Sequence, residues 1–383
     1  MAKVVKGDFI VVDPGKHEVK GMVFTKTGTI KGVFSFPSIS KKVRGFNNNE
    51  TSSSKQFRLN FDGKNYLVGE GVPAEFNTDT SKINKHHQLC VYSSVAALVG
   101  NTGEPINLVI GSPTNDFELD ESVDSYKELV MNDNTGNIQL KWNGSEKSFK
   151  IASLEVFPEG MAVLPRAMNQ KPGKIHVVDI GGQNVNYRLY DEKGNTIKYF
   201  SLDYAGMNKM ENFLQTELRL STLNQSIDFD SIDWNRAISE GRIPELDIMI
   251  NNGAKNLLIG FTDTADFIKD RVEDFIDREI VIPFGQRGIQ LDSRGHAILF
   301  TGGGSLRLEN HLKEFFSDNW DNIEVSQTAK WDNCISYAMR YLSKVEKDKD
   351  IVTKAVVKII KETKHPDFEE NRNIFTVEEA LIG

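Results

Sequence analysis

Phe9-Ile10-Val11-Val12-Asp13-Pro14-Gly15 and, 166 positions on, Ile175-His176-Val177-Val178-Asp179-Ile180-Gly181 make one statement twice: an apolar run ending in an Asp-x-Gly turn. After each turn comes a strand pattern (Val19 to Phe24; Val185 to Tyr190). A polar turn around Gly28 or Gly194 follows, then a third strand through Phe34-Ser35-Phe36 or Phe200-Ser201-Leu202. Asp13, Gly15, Gly28, Phe34 and Ser35 align with Asp179, Gly181, Gly194, Phe200 and Ser201 without a gap. One such turn is an ordinary hairpin feature. Two copies in matching meanders predict two related lobes, each offering a glycine turn and a carboxylate to a shared cleft.

Residue chemistry says what such a turn is for. Glycine lets backbone N–H groups converge with no Cβ in the way, and converging N–H groups form a nest for phosphate. An Asp at the end of a buried strand is costly to bury unpaired and suits a hydrated Mg²⁺ that accompanies phosphate.

Working outward, the 383 residues are enough for two or three domains. The hydrophobic and charged fractions, 39% and 26%, are those of a soluble globular chain. A formal charge of −8 argues against direct nucleic-acid binding by bulk electrostatics. Cys90 and Cys334 have no metal-like spacing, no apolar run reaches transmembrane length, and Met1 to Asp8 lacks the apolar stretch expected of a signal peptide. Reduced thiols in a cytoplasm are the expectation.

Strand patterns alternate with helical ones, which predicts an α/β class. Helices are expected over about 82–100, 115–133 and 207–220, near Ile335 to Leu342, and from Val345 to about Ile360. Leu258, Phe261, Ala265, Ile268, Val272 and Phe275 step by three and four, the stripe of a core-facing helix. A strand over 151–156 runs into Phe157-Pro158-Glu159-Gly160, and one over 297–300 runs into Thr301-Gly302-Gly303-Gly304-Ser305. His86-His87 is read as a solvated polar face, since adjacent helical residues point apart. No Walker A sequence and no G-x-G-x-x-G is present, so a nucleotide would not be held as in P-loop or Rossmann proteins.

Four segments stand in order: Asp13-x-Gly15, Pro158-Glu159-Gly160, Asp179-x-Gly181-Gly182 and Gly302-Gly303-Gly304-Ser305. This order resembles the actin-like ATPase superfamily over residues 9 to about 343. Within it the chain is most similar to bacterial plasmid-segregation actins of the ParM type, as a divergent member. Asp13 and Lys20 are seven apart as in actins, Phe157-Pro158-Glu159 is similar to the plasmid actins' Pro-Glu, and Leu108-Val109-Ile110-Gly111-Ser112-Pro113 matches a strand and Gly-x-Pro turn of that group. Lys16 stands where the family has Ser, Thr or Asn, and Gln183 stands where it has Thr or Ser.

The resemblance implies a two-lobed fold, each lobe a ribonuclease H-like α/β domain, around a nucleotide cleft. Lobe I would be residues 1–160 and 331–383, and lobe II residues 161–330. It implies ATP, or GTP, with Mg²⁺. Asp13 and Asp179 would hold the metal. Gly15, Lys16, Lys20, Gly181, Gly182 and Gln183 would face the phosphates, and Gly302, Gly303, Gly304 and Ser305 the adenosine. Glu159, beginning a helix, would orient the attacking water. The implied function is an ATP-hydrolysing polar helical filament that segregates plasmid DNA through a DNA-binding adaptor at a centromere-like site, with no membrane partner. A sugar-type small-molecule kinase on the same fold and a cell-shape actin are the alternatives.

Overall fold

The computed structural model describes residues 7–46, 55–73, 79, 81–99, 105–161, 173–222, 227–251, 258–291, 296–364 and 368. The chain divides into two compact units, Met1–Val163 with Trp331–Gly383, and Leu164–Lys330. Two sheets with helices against them make an α/β protein.

In the first unit, β1 (Phe9–Pro14), β2 (Glu18–Phe24) and β3 (Ile30–Pro37) form the expected meander. They join β4 (Ser40–Val43), β5 (Gln56–Phe61), β6 (Lys64–Gly69), β7 (Ile106–Ser112), β8 (Asn137–Trp142) and β9 (Ser145–Pro158) in one sheet, ordered β3-β2-β1-β7-β9-β8-β5-β6-β4. The strand expected over 151–156 is longer: the first half of β9 pairs antiparallel with β8, the second half parallel with β7. β7 is also parallel to β1, so the C-terminal ends of β1, β7 and β9 lie side by side.

Every residue of β1 is buried because both faces are covered. Ile10 and Val12 share a core with Leu89, Tyr92 and Val95 of the helix Lys85–Leu98. Phe9 and Val11 share another with Ile335, Ala338 and Leu342 of the helix Asp332–Val345. The alternation is the two-residue period of a strand, and the unbroken apolar run marks a sheet covered on both sides.

The histidine expectation fails here. His87 is fully buried and His86 is half-buried, with Ser40 Oγ 2.7 Å from its Nδ1. Twelve of the helix's fourteen residues are buried, so almost no polar face is left for solvent. Burial pushes the His86 imidazole down to about 4, and His87 falls well below its ordinary range, by burial first and then by the charges of His86, Lys82 and Lys16.

The second unit repeats the plan. β10 (Ile175–Ile180), β11 (Val185–Tyr190), β12 (Thr196–Leu202), β13 (Ala297–Thr301) and β14 (Ile323–Val325) are ordered β12-β11-β10-β13-β14. β10 pairs antiparallel with β11, and β13 runs parallel to both β10 and β14. This is the order and direction of β3-β2-β1-β7-β9. The register repeats to the residue: Asp13 faces Lys20 and Lys20 faces Ser35, as Asp179 faces Asn186 and Asn186 faces Ser201. Even the irregularity recurs, at Val23/Phe24 and at Leu189/Tyr190.

The helix Met207–Ser221 packs on this sheet through Met207, Met210, Leu214 and Leu218. The apolar stripe expected from Leu258 to Phe275 is shorter: the helix is Thr264–Ile276, and Ala265 is exposed. Asp263 caps its start by accepting a hydrogen bond from the Asp266 N–H, so Leu258 and Phe261 precede the helix. Asp263→Ala is expected to cost about 1 kcal/mol, a fall of roughly 2–4 °C in melting temperature, read by thermal unfolding.

Candidate functional site

The first unit gathers its polar residues at the C-terminal ends of its parallel strands. Asp13 ends the apolar part of β1 and is 3% exposed. Lys20, its cross-strand partner, places Nζ 3.6 Å from Asp13 Oδ2. Gly15 turns the chain: a Cβ there would meet the Glu18 carbonyl oxygen at 2.5 Å. Lys16, next in the turn, has its side chain buried, not out in solvent.

Glu159 follows β9 directly. Its N–H donates to Ser112 O at 2.8 Å, and its carbonyl accepts from Thr114 Oγ1 at 3.0 Å. Glu159 and Gly160 form a turn, with Gly160 at φ +66, so Glu159 is not the first residue of a helix. The helix expected after it falls on residues 162–170, outside the described residues.

Lys82, which the sequence reading passed over, is the most buried charge here, at 1% exposure. Its ammonium pairs with Glu159 Oε1, donates to Gly111 O at 3.4 Å and lies 3.8 Å from Asp13 Oδ1. Asn333 ties the same corner together. Its Nδ2 lies 3.5 Å from Asp13 Oδ2, and its Oδ1 accepts from the Gly160 N–H at 3.2 Å. Burial pushes the Glu159 carboxyl up. The Lys82 charge and hydrogen bond, then Lys16 and Lys20, outweigh it and hold the group below its ordinary range. Three lysines face two carboxylates, a local excess of positive charge suited to an anion.

The second unit presents a related but differently furnished end. Asp179 is 4% exposed, and Asn186, where the first unit has Lys20, donates from Nδ2 to Asp179 Oδ2 at 3.4 Å. The Gly181 N–H is taken by Asn184 O at 2.9 Å, so Gly181 shapes the turn and does not offer that donor to a ligand. Gly181, Gly182 and Gln183 turn their carbonyls to the start of the helix Met207–Ser221, accepting from Met207, Asn208 and Gly206. The side chains of Gln183 and Asn184 are buried in the turn.

β13 brings the glycine run beside Asp179, whose backbone pairs with Thr301. Gly302 has φ +82, and a Cβ on it would lie 2.2 Å from Asp179 Oδ1 and 2.5 Å from Ile180 O. A Cβ on Gly304 would come within 2.8 Å of Ile180 O and Met207 Cγ. These two glycines serve close packing on β10, and Gly303 alone opens onto free space. The Ser305 hydroxyl bonds back to Thr301 O.

Orphaned atoms test the fit to a hydrated metal and phosphates. Among the described residues Asp13 Oδ1, Asn184 Oδ1 and Asn186 Oδ1 are buried with no hydrogen-bond partner. Leaving such an acceptor unmet costs about 1–3 kcal/mol, which metal-bound water would recover. No group of three or more His, Cys, Asp or Glu among the described residues is placed to hold a metal. Mg²⁺ needs no more than one or two carboxylates, because it keeps most of its water. The residues fit.

Residues 12–161 match the family model described as the actin like proteins N terminal domain. The chain has the actin-like fold. Among solved structures it is similar to a non-polymerisable quadruple mutant of the pCBH ParM, with TM-score 0.62 and 15% identity over 88% of this chain and 99% of that one. It is also similar to a 15-stranded ParM filament from Clostridium botulinum, with TM-score 0.61 and 18% identity over 90% of this chain and 100% of that one. An archaeal actin homologue in complex with ADP gives TM-score 0.56 and 16% identity over 89% and 99% of the two chains. A search of curated proteins found no match. The chain thus resembles the ParM type while sharing few residues with it.

Within the actin-like fold, Lys82, Asn333 and Asn186 went unread because nothing local marks them. Asn186 alone had a signal: it is the repeat partner of Lys20, which was singled out.

Proposed function

We propose that this actin-like chain binds ATP, or GTP, with Mg²⁺ through the Asp-x-Gly turns of its two units, hydrolyses it, and couples the cycle to a polar helical filament. The filament would move plasmid DNA through a DNA-binding adaptor protein, the chain itself being acidic. The observation that carries this reading is the duplicated turn, with a buried Asp at the same register in both units. An ADP complex of one similar structure and the filament form of another support it.

In this reading Asp13 and Asp179 hold the hydrated metal. Lys20 and Lys16 meet the phosphates, aided by Gly15, Gly182 and Gln183. Gly303 faces the adenosine, with Gly302, Gly304 and Ser305 shaping its turn. Bound Mg²⁺ neutralises phosphate charge. Glu159, held ionised, accepts a hydrogen bond from the attacking water and aims its oxygen at the terminal phosphorus. Phosphoryl transfer asks a protein mainly for such positioning and charge neutralisation.

Polymerisation tests the reading. A net charge of −8 sets subunits repelling one another, screened over about 8 Å at physiological ionic strength. Sedimentation is therefore expected to show nucleotide- and Mg²⁺-dependent assembly above a critical concentration, promoted by moderate salt. A chain that stays soluble with nucleotide at roughly tens of micromolar, where micromolar contacts would be filled, and phosphorylates a sugar is a kinase. Nucleotide-independent binding to lipid vesicles points instead to a cell-shape actin.

A further inference from the structure

Lys82 is reached by a route that costs the chain effort. Asp79 Oδ1 accepts from the Ser81 N–H at 3.0 Å, Ser81 Oγ from the Ile83 N–H at 3.1 Å, and Asn84 Oδ1 from the His87 N–H at 3.0 Å. The Asn84 N–H closes a tight turn onto Lys82 O at 2.9 Å. This capped turn ahead of the helix Lys85–Leu98 drives a lysine inward while its neighbour Ile83 stays exposed. Burying an ion pair is at best break-even against well-packed apolar side chains. Neutralising Glu159 for stability alone would thus gain nothing over an apolar pair.

We propose that Lys82 is a positioning residue for hydrolysis, fixing the Glu159 carboxylate that orients the attacking water. This rests on the reading of Glu159 given above. The ammonium has three N–H donors. One is spent on Glu159 and one on the Gly111 carbonyl, and the third side faces Asp13. The Gly111 bond anchors the cation to the end of β7, and Ser112, the last residue of that strand, holds the Glu159 backbone. Carboxylate and counter-ion are therefore referenced to one rigid strand. Two of the Lys82 donors are thus committed to Glu159 and Gly111 and the third side lies against Asp13, so contact with phosphate suits Lys20, whose side chain is more exposed and which faces Asp13 from β2.

The test uses the full chain with Mg²⁺-ATP, reading phosphate release at saturating nucleotide and, separately, the affinity for a fluorescent ATP analogue. Lys82→Met is expected to lower kcat about 10²-fold, the scale of a misplacement of about 1 Å, with affinity changed less than about threefold. Lys82→Arg is expected to restore most of the loss. In a Glu159→Gln background Lys82→Met is expected to add little, because residues acting as one unit are not additive. Equal slowing in both backgrounds, or an affinity loss as large as the rate loss, overturns the proposal. Should Lys82→Met fail to fold by circular dichroism, Lys82→Gln, which removes the charge but keeps a polar side chain, reads the same coupling in the same two backgrounds. A wild-type chain that binds no nucleotide sinks the functional reading itself. A wild type that turns over beside an unaffected Lys82→Met sinks only this inference.

Discussion

Glu159→Gln is expected to slow phosphate release by roughly 10²–10⁴-fold, the usual worth of a positioned general base or water-orienting group. The amide keeps the shape of the carboxylate and can still accept from Lys82. It loses the charge that makes Glu159 a strong acceptor toward water. Nucleotide affinity is expected to change little, because Lys16, Lys20 and the Gly15 turn lie on the β1–β2 hairpin and do not depend on the 159 side chain. Filaments are then expected to form and to persist, since disassembly awaits hydrolysis. A single-turnover assay paired with sedimentation separates the two effects. Phosphate release at the wild-type rate excludes the role.

The second large effect is at Gly302. Its φ of +82 and ψ of 154 lie in a region held almost only by glycine. An added Cβ would press on Asp179 Oδ1 and on the Ile180 carbonyl at once. Backbone strain and overpacking each cost about 1–3 kcal/mol, so Gly302→Ala is expected to destabilise the protein by roughly 2–6 kcal/mol and to displace the Asp179 carboxylate. Chemical denaturation reads the first consequence, and Mg²⁺-dependent nucleotide affinity the second. Gly303→Ala is the control, since its Cβ meets nothing within 4 Å and Ala favours a helix over Gly by up to about 1 kcal/mol. Unchanged stability with weakened nucleotide binding at 303 identifies that position as the one facing the ligand. Equal tolerance of both alanines contradicts the geometry.

Much of the fold was legible because it rests on local pattern. The two apolar runs ending in Asp-x-Gly, with their following strands, became β1–β3 and β10–β12 at matching register. The expected helices at 82–100, 207–220 and 335–342 appeared as Lys85–Leu98, Met207–Ser221 and Asp332–Val345. Errors came where local pattern and burial disagreed. His86-His87 looked polar, but the helix that carries them is enclosed almost all round. The stripe at 258–275 ran past the true helix start because the Asp263 cap ends it, whatever apolar residues precede.

The sequence by itself determined the strands, the turns and the two aspartates, since a period of two and an Asp-x-Gly turn are properties of neighbouring residues. Only the tertiary structure decided which distant groups meet them. Lys82 reaches Glu159 and Asp13 because parallel pairing of β1, β7 and β9 sets three strand ends side by side, and a capped turn points one lysine there. Asn333 joins Asp13 to Gly160 from 320 and 173 residues away in the chain, respectively. Gly302 and Gly304 serve packing, and Gly303 does not, only because β13 lies against β10. Charge pairing and steric exclusion act through space over a few ångströms, so sequence separation carries no record of them.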